Sequence, residues 1–71
     1  MNRMNPKKLL HSKWTAVKVV NKEKHFMVVE LDFDEEDKIT HCLIEAVISN
    51  RSVSIQWQEL KSNHHWLQGW R

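Results

Sequence analysis

The chain has 71 residues, 41% of them hydrophobic, and a formal net charge of +2. That length makes one domain, and a chain so short buries only about 60% of the surface its unfolded form exposes. A single cysteine, Cys42, excludes an internal disulfide and a zinc site of several thiolates, and a single glycine, Gly69, excludes a glycine-rich phosphate loop. A lone thiol suits a reducing compartment, so a cytoplasmic location is expected. No apolar stretch follows the charged start Met1-Asn2-Arg3, and the longest apolar runs fall far short of the ~20 residues of a membrane helix. No targeting segment and no membrane partner are expected.

Residues 1–9 read as a flexible arm and 10–71 as one small β domain. Lys13 to Val20 carries threonine and three valines and reads as a first strand. Asn21-Lys22-Glu23-Lys24 is a polar break. His25 to Phe33 reads as a second strand, with Phe26, Val28, Glu30 and Asp32 on one face and Met27, Val29, Leu31 and Phe33 on the other. The uniformly apolar second set is expected to face the core. Asp34-Glu35-Glu36-Asp37 must turn, since four adjacent acids cannot be buried, and Asp37 tolerates the left-handed conformation such a turn ends on. Lys38 to Ser49 is a third strand, apolar on both faces and so central. Asn50-Arg51 is a tight turn, and Val53, Ile55 and Trp57 share a face of a short fourth strand.

Beyond Trp57 the pattern changes. Gln58 to Lys61 fits one helical turn, and Ser62-Asn63 can cap the next segment. His64 to Trp70 reads as a short helix ending at Gly69, with Trp66 and Trp70 on one face. An alternative runs one helix from Val53 to Leu67; β-branched and aromatic residues in its first part argue against it. The expected fold is mainly β with a short C-terminal helix. A four-stranded antiparallel meander curls into a small half-barrel, closed by the Trp-bearing C-terminal segment.

Charge is unevenly spread. Residues 1–24 carry seven basic groups and one acid, residues 30–37 carry six acids and no base, and the remainder is weakly basic. The chain is a charge dipole in sequence.

Leu10-His11-Ser12-Lys13-Trp14-Thr15-Ala16-Val17, Lys24-His25-Phe26 and Trp66-Leu67-Gln68-Gly69-Trp70 together resemble the small tryptophan-rich bacterial proteins of unknown function. The resemblance extends from about Pro6 to Arg71. It implies a bacterial, stand-alone, cytoplasmic domain and supplies no catalytic residue. Asp37 departs from the glycine its turn would favour, which bears on stability rather than function.

Each constellation that could carry chemistry has a simpler explanation. His64 and His65 are adjacent, so they do not converge on one metal without a further ligand such as His11, His41 or Cys42. Asp32-x-Asp34-x-Glu36 begins like a calcium loop, but Asp37 stands at the required glycine and Leu43 at the closing glutamate. Cys42, beside His41, falls on the expected core face of its strand, where a thiol is inert. Glu30 and Glu45 interrupt apolar strands and read as an exposed face or as partners for Lys13, Lys18 or Arg51. No catalytic residue, metal site or cofactor is expected, and the chain does not read as an enzyme.

The tryptophans divide. Trp57, Trp66 and Trp70 read as core, closing a minimal sheet that has no disulfide. Trp14, beside Lys13 in the basic first third, reads as a contact residue. Aromatic stacking beside cations is how single-stranded nucleic acid is held, at about 1–3 kcal/mol per stacked base. The expected function is a small non-catalytic binding module, meeting RNA or a protein partner through Lys13, Trp14, Lys18 and Arg51. A protein–protein adaptor using the charge asymmetry is the alternative. One exposed tryptophan beside Lys13 or Arg51 would mark the site.

Overall fold

The computed structural model describes residues 5–71. Five strands form one antiparallel sheet: β1 (Lys13–Val20), β2 (Glu23–Phe33), β3 (Ile39–Ala46), β4 (Ser52–Ile55) and β5 (Trp66–Gln68). Their order is β4-β3-β2-β1-β5, so β3 is interior as its two-sided apolar pattern predicts, and β4 and β5 are edges. Two short 3-10 turns, Pro6–Lys8 and Trp57–Lys61, complete the regular structure.

The mainly β expectation holds, but the strand count does not. The segment expected as a short C-terminal helix extends instead, and β5 pairs Trp66 with Ala16, Leu67 with Thr15 and Gln68 with Trp14. Two adjacent histidines and two tryptophans are poor helix formers. The polar groups of β1 are satisfied by pairing, which a seven-residue helix could not offer. The alternative long helix from Val53 to Leu67 is likewise absent: β4 occupies its start and a 3-10 turn its middle.

Turn chemistry sets the register. Asn21 and Lys22, at φ of 56° and 62°, form a two-residue turn joining Val20 to Glu23, the twist that suits a tight hairpin. Asp34 accepts the backbone N–H of Glu36 at 2.8 Å and of Lys38 at 2.9 Å, and Asp37 takes the expected left-handed conformation at φ 61°.

β2 carries a bulge. Val28 opposes Ile44 while Glu30 opposes Leu43, leaving Val29 as the extra residue. The bulge corrects the simple alternation expected for this strand. Before it, Phe26 and Val28 are buried and face the core; after it, Leu31 opposes buried Cys42 and packs on the same core. The expected core set Met27, Val29, Leu31 and Phe33 is therefore split, and Phe33 is exposed.

Two faces result. The inner face carries Trp14, Ala16, Phe26, Val28, Cys42, Ile44 and Ala46, and is roofed by Leu60 of the second 3-10 turn and by Leu9. Of the expected arm, residues 1–4 lie outside the described residues. Over the rest, Asn5 caps Pro6–Lys8, and Leu9 is buried in the core. The outer face carries Lys13, Thr15, His25, Met27 and, beyond the bulge, Glu30, Asp32 and His41.

Candidate functional site

Trp14 does not stand where a contact residue must. It is 2% exposed, in the core beside Phe26, and its indole N–H donates to Ser12 Oγ at 2.8 Å. Its expected exposure is corrected by strand alternation: Lys13 points outward, so its neighbour points in.

The exposed ring is Trp70, at 40%. After β5, Gly69 adopts φ 79°, a conformation glycine takes freely, and the chain crosses to the outer face. Several contacts fix the ring there. Its Nε1–H donates to the Phe26 carbonyl at 2.9 Å, the His25 ring lies 5.9 Å away, and Lys13 Nζ sits 4.9 Å over its centroid. The Thr15 hydroxyl donates to the Gly69 carbonyl at 2.6 Å and accepts the Arg71 backbone N–H at 2.9 Å, while a His25 ring nitrogen meets the Arg71 carbonyl at 2.9 Å. Lys13, His25 and Trp70 thus form one basic aromatic cluster, tied down by the Arg71 backbone, while Arg71 Nε donates to the Gln68 carbonyl at 3.0 Å. The Trp66–Trp70 spacing, read as a helix, places both rings together; read as strand and turn, it separates them. That second reading is the signal in the sequence for this cluster.

Lys18 and Arg51 come together elsewhere. They line a cleft of about 290 Å³ with Phe26, Trp66, His64 and His65. The Phe26 and Trp66 rings meet edge to face at 5.2 Å and form part of its wall. Arg51 is committed: its Nε lies 3.1 and 3.2 Å from the two carboxylate oxygens of Glu23, which also accepts the Ser49 hydroxyl. Glu23 is the buried acid of the core edge. The Arg51 guanidinium, with help from Ser49, holds its carboxyl below the usual range, and Glu23 raises Arg51 in turn. In the sequence Glu23 falls within a polar break, and nothing local marks a carboxylate whose partner lies 28 residues on. The four expected site residues are therefore divided: Lys13 on the outer face, Lys18 and Arg51 at the cleft, and Trp14 in the core.

Thiol chemistry has little footing. Cys42 is buried on the inner face, and desolvation pushes its thiol up to about 11. His64 and His65 are exposed at the cleft rim, where a His65 ring nitrogen meets Ser62 Oγ at 3.0 Å. Asp34 spends its carboxylate on its own turn, so the calcium-like spacing is a turn motif. Glu30 and Glu45 both lie on the outer face, Glu45 opposite Met27 and Glu30 opposite Leu43.

All four tryptophans have structural employment: Trp14 and Trp66 at the inner core, Trp57 under Lys61 at 4.7 Å, and Trp70 on the outer face. The model of the tryptophan-rich protein family DUF2389 matches residues 12–71, which include all four, and the chain belongs to this family of unknown function. No curated protein and no solved structure matches the chain.

Proposed function

We propose that this protein is a small, cytoplasmic, non-catalytic binding module that takes single-stranded RNA on the outer face of its sheet. One observation carries the reading: an exposed tryptophan, Trp70, held by its Nε1–H bond to the Phe26 carbonyl and flanked by Lys13 and His25, with Arg71 next to it in the chain. A ring already fixed by the protein loses little freedom when a base stacks on it. The base takes the position of the Lys13 ammonium over the ring, and the released lysine, with Arg71, meets the phosphates. The buried Cys42 thiol, pushed up by desolvation, supports a non-catalytic role, and its being a lone cysteine suits a reducing compartment.

The test is a titration with oligo-RNA at low salt, followed by tryptophan fluorescence and amide spectra. Wild-type signals around Lys13, His25 and Trp70 should move, and Trp70→Ala should weaken binding by about 5- to 150-fold, the worth of one stacked base. Unchanged spectra on adding RNA would end the nucleic-acid reading. A protein adaptor is the second reading, supported by an outer face that is basic around Trp70 and acidic at Glu30 and Asp32. Capture from native extract separates the two: a partner that survives nuclease favours protein, and one lost to nuclease favours RNA.

A further inference from the structure

The bulge at Val29 has a chemical product. By inserting one residue, it turns Glu30 and Asp32 outward on the same side of β2, directly beside His41 of β3, which opposes Asp32. One carboxylate oxygen of each acid and one ring nitrogen of His41 lie within 4.8 Å of one another. Three donors so disposed leave a point no more than about 2.8 Å from all of them. Rotation of the two exposed carboxylate side chains toward the half-buried His41 covers the remaining distance to the ~2.0–2.2 Å of metal–oxygen and metal–nitrogen bonds.

We propose that Glu30, Asp32 and His41 form a binding site for a divalent first-row transition ion, with its remaining positions open to water. Three features separate this group from the solvated acidic turn next to it. It contains an imidazole, the commonest transition-metal ligand, where the turn has only carboxylates. Its donors come from two hydrogen-bonded strands, so their spacing is set by the sheet rather than by a loop. Among the described residues neither carboxylate has a cation as partner: the ion pairs there are Glu36 with Lys38 and Glu23 with Arg51. Two oxygens and one nitrogen suit zinc or manganese better than calcium, which takes 6–8 oxygens, and zinc binds the tighter of the two. The site stands apart from the Trp70 cluster and does not rest on the RNA reading.

The test uses the whole chain and the metal alone. Equimolar zinc should shift the His41 ring signals and the amides of Glu30 and Asp32, and manganese should broaden the same signals. His41→Ala should abolish both effects, and Asp32→Asn should weaken them, with the dispersion of the remaining spectrum unchanged because the two acids are exposed and His41 is only half-buried, outside the core. A double variant, His64→Ala with His65→Ala, should retain the shifts. If the shifts centre on His64 and His65, survive His41→Ala, or do not occur at equimolar metal, the site is wrong.

Discussion

The two faces of the sheet use the same residue type for opposite ends. On the inner face, Trp14 is sealed beneath Leu9 and Leu60 in a continuous apolar core. On the outer face, Trp70 lies over polar neighbours, half in solvent, tied by one hydrogen bond and one cation. The first ring is placed by alternation within a strand and the second by a left-handed glycine after one. A tryptophan-rich composition is therefore not one signal but two: burial that holds a small sheet together, and an aromatic surface that the sheet presents.

If that division is right, perturbing the inner face should cost far more than perturbing the outer. Trp14→Ala should have the largest effect, about 3–5 kcal/mol in urea unfolding. That is a large part of the stability of a domain this size, commonly about 5–15 kcal/mol. Leu60→Ala should follow, at about 2–5 kcal/mol, since it unroofs the same core. Trp70→Ala should cost only about 1 kcal/mol, the worth of its hydrogen bond, while removing the ring-current shifts on Lys13 and His25 in the proton spectrum. A Trp70 loss as large as that of Trp14 would break the comparison.

Smaller effects sharpen it. The Glu23 carboxyl is lowered by Arg51 and Ser49, so its contribution to stability is full above the ordinary carboxylate range. It is lost as pH falls through the lowered value. Glu23→Gln should lower the melting temperature at neutral pH and flatten the acid limb of the stability profile, measured by thermal melts across pH. Cys42, smallest of all, should react with a thiol reagent only through opening of the inner face. Its labelling rate should rise in Leu60→Ala and stay near wild type in Trp70→Ala.

Much of this architecture is legible in the chain. β1 is bounded as its valines predict, the acidic turn uses Asp37 as expected, and Cys42 is in the core. What escapes is what depends on pairing partners. The bulge at Val29 exists only relative to β3, and it reverses the facing of half a strand. β5 is three residues long and gains its conformation from β1, 54 positions away by the Thr15–Gly69 bond. The candidate site suffers the same limit: Lys13 is identified by sequence, but the ring it meets is the distant Trp70, not its neighbour Trp14.

That long-range closure has a consequence for the nascent chain. β1 emerges early, and its β2 partner follows after a two-residue turn, but the edge later covered by β5 stays bare until Trp66 to Gln68 have been synthesised. During that interval a strand with outward-facing Val17 and Val19 has unpaired backbone groups to offer to any other chain. Lys18, between those valines, is the charge that discourages such pairing. Its replacement by an apolar residue should leave the finished fold intact and reduce the soluble yield of newly made protein.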